Sequence, residues 1–218
     1  MRCAADAKLK PLSMAGNITA GLCALLFFIA LGLATVLLFR PFYYFEIDFL
    51  NITETSGFSR EEIILNYDAL IRWCMPWTRT SFSLPTFPSS ADAMFHFEQV
   101  KSVFRIVWIL GLFGGLASLL LLFRGVRCGD KARFRIAGRT VLTVPLLLGL
   151  WAAADFNRAF VLFHEWIFRN EYWIFDYRTD PVILILPETF FEHSFILIML
   201  IVAAGAVLLM RLGRKTDL

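Results

Sequence analysis

Residues 17–39 read NITAGLCALLFFIALGLATVLLF, an unbroken run without a charged side chain that ends at Arg40-Pro41. The hydrocarbon core of a bilayer is about 30 Å thick and needs roughly 20 such residues in a helix. Three further apolar blocks follow, so we predict an all-α membrane protein with four transmembrane helices. The predicted spans are about 17–39, 102–123, 140–163 and 189–210.

The composition of the whole chain supports this class. Of the 218 residues, 58% are hydrophobic and only 18% are charged, whereas an ordinary soluble domain is about 45–50% apolar and about 25% charged. A soluble globular domain and a disordered chain are therefore excluded. The four cysteines fall in four different segments, which argues against a disulfide scaffold.

The third span is short. Only 15 uncharged residues separate Arg139 from Asp155, about 22 Å of helix at 1.5 Å per residue, which is too little to cross a bilayer. We therefore predict that this helix continues through Asp155 and Arg158 to Phe163. Because Asp155 and Arg158 are three positions apart, they could form a structural ion pair on one helix face.

The distribution of charge predicts the orientation. Residues 1–13, 124–139 and 211–218 together hold 12 basic and three acidic side chains, whereas 40–101 and 155–192 hold eight basic and 15 acidic. Basic segments face the cytoplasm by the positive-inside rule. Orientation thus accounts for the basic loop at 124–139, and we expect no nucleic-acid partner.

The two outer segments, about 40–101 and 164–188, are predicted to form a small, mainly helical extracytoplasmic cap on the outer leaflet. Ser59 and Glu62 have the spacing of a capping box, and the helix that they open should end at Pro76. Ser90 should cap a helix that continues into the second span, and Pro187-Glu188 should open the last one.

The chain has three histidines, His96, His164 and His193, and all are predicted to lie on the outer side near the membrane. Imidazole titrates near pH 6.5, which suits proton transfer at neutral pH. A histidine at a membrane interface can also be a structural hydrogen-bonding group, and this alternative stays open. The sequence has no phosphate loop, nucleophile elbow or zinc-binding helix, so we expect no metal and no cofactor.

Three stretches are informative together: LFHEWIFRNEYWIFDYRTDPVILILPETFF at 162–191, FHFEQVKSVF at 95–104 and FYYFE at 42–46. They resemble the bacterial lipoprotein intramolecular transacylase (Lit) family of four-span membrane proteins. The family usually has His-Met-x-Asp-Val-Lys where this chain has HFEQVK at 96–101, so that Phe97 and Gln99 replace a methionine and an acid.

The resemblance implies an acyl transfer within one substrate. The acyl chain would move from the sn-2 oxygen of a diacylglyceryl lipoprotein to the α-amino group of its N-terminal cysteine, giving a lyso-form lipoprotein in the bacterial cell membrane. The substrate supplies its own nucleophile, so no acyl-enzyme is expected. The partners would be diacylglyceryl lipoproteins and membrane lipid, with the active face extracytoplasmic and the protein a monomer.

Carried over to this sequence, the resemblance implies His96 and His164 as a catalytic pair, with either one as the base, and leaves His193 outside the motif. The candidates for supporting or oxyanion-binding roles are Lys101, Asn170, Trp173 and Asp180. Two alternatives remain at this point: a non-enzymatic scaffold or lipid-binding protein, and a related membrane acyltransferase with a different lipid substrate.

Overall fold

The computed structural model describes residues 14–127 and 132–214, without the side chains of 125–127. The parts of the predicted cytoplasmic segments at 1–13, 128–131 and 215–218 lie outside the described residues. In chain order the elements are α1 Met14–Leu38, α2 Arg40–Phe49, α3 Ile52–Ser56, α4 Arg60–Cys74, α5 Ala91–Arg127, α6 Ala132–Ala154, α7 Phe156–Phe168, a 3₁₀ helix Pro181–Ile185 and α8 Glu188–Leu212.

Four of these helices are long and apolar enough to cross a membrane, namely α1, α5 over Ala91–Arg124, α6 and α8. The described part of the chain contains no strand. The prediction of an all-α protein with four membrane-crossing helices is therefore confirmed.

The structure corrects the prediction that the third span continues as one helix through Asp155. Helix α6 ends at Ala154, and Asp155 adopts an extended backbone (φ −163°, ψ 90°) as the N-cap of α7. Its carboxylate accepts a hydrogen bond from the backbone N–H of Arg158, 3.0 Å away, instead of forming the expected ion pair with that side chain in the described structure. A short acceptor side chain is more favourable at a helix start than inside a helix, which explains the break.

The length that the third span lacks is supplied at its other end. Helix α6 begins at Ala132 and contains 23 residues, about 34 Å at 1.5 Å per residue. Its first turns carry Arg133, which is 1% exposed, and Arg135. The guanidinium of Arg133 donates to the carbonyl oxygen of Leu121, and that of Arg135 donates to the carbonyl oxygen of Gly213. These basic side chains are accommodated because backbone carbonyl groups accept their hydrogen bonds.

Contacts between Cα atoms divide the described residues into two compact units. The first comprises residues 14–33, 107–127, 132–150 and 196–214. Its core contains many small residues, including Ala20, Ala137 and Ala206, which are fully buried. Small residues allow membrane helices to approach closely.

Two glycines of α5 show how close this approach is. A Cβ atom added to Gly111 would collide with the Cβ of Ala30, and one added to Gly115 would lie 2.7 Å from the ring of Phe27. The small-xxx-small spacing of these glycines therefore serves helix packing.

The second unit comprises Ala34–Ile106 and Trp151–Phe195. Its centre is a stacked pair of buried tyrosines, Tyr43 and Tyr67, with ring centroids 3.5 Å apart. The hydroxyl of Tyr43 donates to the carbonyl oxygen of Ile185 at 2.6 Å, which joins α2 to the 3₁₀ helix. Phe190 packs edge-on against both tyrosine rings.

The predicted helix starts in this unit are confirmed. The hydroxyl oxygen of Ser59 accepts from the backbone N–H of Glu62, and that of Ser90 accepts from the N–H of Ala93. The carboxylate of Glu62 accepts a hydrogen bond from the Thr86 hydroxyl, an interaction that joins α4 to the following loop.

Candidate active site

His96 and His164 lie together in the second unit. His96 is in the second turn of α5, before the predicted span that begins at Ser102, and His164 is near the end of α7, which belongs to none of the four candidate spans. The centroids of the two imidazole rings are 5.9 Å apart, and the ring planes are inclined by 31°. The two residues that the resemblance singled out thus form one site.

Aromatic rings surround the two imidazoles. Phe168 lies 4.6 Å from His96 and 5.4 Å from His164, measured between ring centroids. Phe160 and Trp173 lie 4.2 and 4.7 Å from His164. A charged imidazolium would be costly in such apolar surroundings.

Burial shifts the protonation of both histidines in the same direction. It lowers the pKa of His96 to about 4, and repulsion from His164 adds to this effect. Burial also lowers the pKa of His164, against a smaller opposing effect of its hydrogen bond to Phe160. Both imidazoles are therefore neutral at neutral pH.

The protonation of individual nitrogens can be assigned for His164. Its Nδ1 lies 2.8 Å from the carbonyl oxygen of Phe160. A carbonyl oxygen only accepts, so Nδ1 carries the hydrogen, and Nε2 of the neutral ring keeps its lone pair. His96 differs, because its Nδ1 is buried and contacts no hydrogen-bonding group in the described structure.

Asn170 and Trp173 have their donors occupied within the protein. The side-chain amide of Asn170 donates to Oε1 of Gln99 at 3.1 Å and to the carbonyl oxygen of Phe168 at 2.7 Å. The indole N–H of Trp173 donates to the carbonyl oxygen of Asn170 at 2.9 Å. An amide nitrogen has two hydrogens and an indole has one, so neither residue has a hydrogen left for an oxyanion in this conformation.

The structure does not bring Lys101 and Asp180 into contact with the imidazoles. The ammonium group of Lys101 donates to the carbonyl oxygen of Thr78 at 2.8 Å and lies 4.2 Å from the ring centroid of Trp73. The carboxylate of Asp180, a residue that is 3% exposed, accepts from the backbone N–H of Ser90 at 2.7 Å and from the neighbouring Thr179 hydroxyl. The Lys101 contact ties α5 to the loop that holds Thr78. The Asp180 contact ties the residue before the 3₁₀ helix to Ser90, the residue before α5.

His193 belongs to a different pair, which the sequence analysis did not identify. Its Nδ1 lies 2.7 Å from Oε2 of Glu46, a carboxylate on α2 that is 3% exposed. The two residues are 147 positions apart, and no local spacing could have paired them. Glu46 is the last residue of the FYYFE stretch, the one sequence signal that pointed to it.

No three His, Cys, Asp or Glu side chains come together as a metal site would require within residues 14–127 and 132–214. What the described site does contain is two neutral imidazoles in an aromatic enclosure. One ring of such a pair can accept a proton, and the other can donate a hydrogen bond from its N–H.

The helices and their apolar lengths define the chain as a multi-pass integral membrane protein. A family model described as "Lipoprotein intramolecular transacylase Lit" matches residues 18–191. The chain belongs to this family and is a transacylase. A comparison with curated proteins gave no match.

Solved structures agree with the family assignment. The chain is similar to the membrane integral lipoprotein intramolecular transacylase Lit from Bacillus cereus, with 30% sequence identity and a TM-score of 0.87, over 91% of this chain and 92% of that one. Two structures of that protein with one histidine replaced, by arginine or by alanine, each give 30% identity and a TM-score of 0.83. They cover 92% of this chain and 89% or 91% of the other.

Proposed function

We propose that this protein moves the sn-2 acyl chain of a diacylglyceryl lipoprotein to the α-amino group of the same molecule's N-terminal cysteine. His164 acts as the general base and then as the general acid, and His96 stabilises the oxyanion. The observation that carries this proposal is the pair of neutral imidazoles whose ring centroids are 5.9 Å apart in an aromatic site. The family assignment supplies the lipoprotein substrate.

The assignment of roles follows from the tautomer of His164. Its Nδ1–H is held by the Phe160 carbonyl oxygen, and its Nε2 is therefore the basic atom. His164 is the base that removes a proton from the substrate amine. His96 carries the other role, because a neutral imidazole also has one N–H that can donate to a developing oxyanion.

The reaction conserves atoms and charge without a covalent enzyme intermediate. The amine nitrogen attacks the carbonyl carbon of the sn-2 ester and gives its proton to Nε2 of His164 as the new C–N bond forms. The C–O bond to the glyceryl group then breaks, and the departing oxygen takes that same proton from the His164 imidazolium, while the N–H of neutral His96 donates a hydrogen bond to the oxyanion. His164 is neutral again, His96 has stayed neutral throughout, and the product has one amide and one free hydroxyl.

The apolar site favours this reaction because a protonated imidazole cannot act as a base. A substrate α-amino group has a pKa of about 7.7–8, so a substantial fraction is neutral near pH 8. Because the amine and the ester belong to one molecule, no encounter between two reactants is needed, and the enzyme only has to orient the two groups. Such an intramolecular arrangement can lower the barrier by about 7–11 kcal/mol. The protein then has to position the two groups and transfer protons.

The test uses a synthetic diacylglyceryl lipopeptide whose sn-1 and sn-2 chains differ in length, incubated with the purified protein in detergent. Tandem mass spectrometry should find an unchanged total mass and the sn-2 chain on nitrogen. The same lipopeptide with an acetylated α-amine is the control and should give no product. Transfer of the chain to water, to phospholipid or from the acetylated substrate would contradict the proposal.

We also propose that the site faces the extracytoplasmic side, as the charge distribution predicts. Arg178 has an exposed side chain in the second unit, and Arg211 belongs to the basic C-terminal segment. In a chain with its native cysteines replaced by serine, a membrane-impermeant maleimide applied to intact cells should label Arg178→Cys and leave Arg211→Cys unlabelled. The reverse labelling would contradict this orientation.

A further inference from the structure

We propose that Gln99 is a positioning residue, which fixes the turn after α7 to the helix that carries His96 and so holds the aromatic rings against both imidazoles. This inference rests on the proposed function of His96 and His164. It assigns a role to a side chain that is neither acid nor base.

Gln99 contacts the turn after α7 directly. Gln99 lies on α5, three residues after His96, and its side chain is half-buried. Its Oε1 accepts a hydrogen bond from Nδ2 of Asn170 at 3.1 Å, across 71 positions of sequence. This bond joins the helix of His96 to the turn that follows the helix of His164.

The turn after α7 has an uncommon backbone conformation. Helix α7 ends at Phe168, and its C-cap residue Arg169 adopts the left-handed conformation (φ 56°) that a residue with a side chain rarely takes. Such a conformation persists when contacts with the surrounding residues hold it in place. Here two hydrogen bonds of the Asn170 side chain do so: its amide group donates back to the Phe168 carbonyl oxygen, and its Oδ1 accepts from the backbone N–H of Tyr172.

The turn carries two aromatic rings that contact the imidazoles. Phe168 immediately precedes the turn and lies 4.6 Å from His96, centroid to centroid. Trp173 follows it, donates to the Asn170 carbonyl oxygen, and lies 4.7 Å from His164. The turn that the Gln99 amide holds therefore sets the positions of Phe168 and Trp173, two of the rings that flank the imidazole pair.

The amide of Gln99 carries no charge. Gln99 can accept the Asn170 hydrogen without placing a negative charge one helical turn from His96. A carboxylate at this position would keep the hydrogen bond but would favour the charged form of the nearby imidazole. The neutral amide thus positions the turn and leaves both histidines in their neutral form.

The experiment compares Gln99→Met, Gln99→Glu and a matched control, Glu98→Gln, at the adjacent exposed position. Methionine keeps the length and helix preference of glutamine but accepts no comparable hydrogen bond. We expect Gln99→Met to lower kcat at least tenfold with little change in KM. We expect Gln99→Glu to keep most of kcat at pH 8 and to move the acidic limb of its pH profile to higher pH. Glu98→Gln should match the parent protein.

A double-mutant cycle separates positioning from general loss of stability. Because Gln99 and Asn170 act through one bond, Gln99→Met combined with Asn170→Ala should be no slower than the slower single variant. Multiplying effects, or an unchanged kcat for Gln99→Met in folded protein, would overturn the inference. If Gln99→Met does not fold, the shifted pH profile of Gln99→Glu decides, and an unshifted profile overturns it.

Failure of this inference is distinguishable from failure of the proposed function. The proposed function is wrong if His164→Ala retains activity, whatever the activity of the Gln99 variants. A fully active Gln99→Met protein beside an inactive His164→Ala protein would remove only the positioning role.

Discussion

The Nδ1–H of His164 is held by the carbonyl oxygen of Phe160, 2.8 Å away and one turn earlier on the same helix. The carbonyl oxygen of Phe160 can only accept a hydrogen bond, so this contact fixes which ring nitrogen of His164 is basic. No carboxylate orients either imidazole of the pair in the described structure. The site is therefore uncharged at neutral pH, and several measurable properties follow from that.

Acid should destabilise the protein through His96. In the unfolded chain His96 binds a proton as the pH falls through about 6.5, whereas in the folded chain burial holds its pKa to about 4. Between these two values the unfolded state therefore binds more protons than the folded state. The contribution of the neutral His96 to the free energy of unfolding is fully present above pH 6.5 and is lost as the pH falls towards 4. The melting temperature in detergent should decrease over this range and decrease less in His96→Phe. Equal slopes in the two proteins would contradict the buried, neutral histidine.

Asp180 should matter for stability and not for the chemical step. Asp180→Ala removes the acceptor of the Ser90 N–H at the start of α5, a loss of about 1–3 kcal/mol for a buried group left without a partner. We expect a lower melting temperature in detergent and an unchanged turnover rate per folded molecule. A variant that is as stable as the parent but inactive would instead indicate that Asp180 takes part in the chemical step.

The pair formed by Glu46 and His193 should contribute more stability than the exposed ion pairs of the same unit. Glu46→Leu leaves the His193 nitrogen without its partner, and we expect a loss of about 1–3 kcal/mol. The control is Asp48→Asn, which weakens the exposed pair with Arg60 and should cost at most about 1 kcal/mol. Chemical unfolding in mixed detergent compares the two, and equal losses would show that the buried pair has no special role.

Close helix packing in the first unit can be tested with one added carbon atom. Gly111→Ala would drive a Cβ into Ala30, and overpacking of this kind costs about 1–3 kcal/mol. Gly149→Ala is the matched control, because nothing lies within 4 Å of the added atom. There alanine should stabilise the helix by up to about 1 kcal/mol. A shift of the same sign in both variants would argue against the packing observed at Gly111.

The sequence predicts the features that depend on local or repetitive signals. Apolar length defines the four membrane helices, and hydroxyl side chains at Ser59 and Ser90 mark two helix starts correctly. The family resemblance, carried by the stretches around His96 and His164, is confirmed by the family model and the structural match. These signals are readable because each lies within one short segment.

The sequence did not predict features in which two requirements compete or distant residues meet. At Asp155 the preference of a short acid for an N-cap overrides the continuation of the helix. Asn170 and Trp173 look like free donors in the sequence, yet both are used inside the turn that they build. Glu46 and His193 meet across 147 positions, a contact that only the tertiary fold creates.

The most direct test of the account is the rate of acyl transfer by His164→Ala, measured on a diacylglyceryl lipopeptide by intact and tandem mass spectrometry. The variant should be purified at the parent's yield and compared at equal folded concentration. Loss of a general base should lower the rate by about 10²–10⁴-fold and leave the substrate as the diacyl form with a free amine. Formation of the N-acylated lyso product at the parent's rate would contradict the claim that this imidazole takes the proton of the attacking amine.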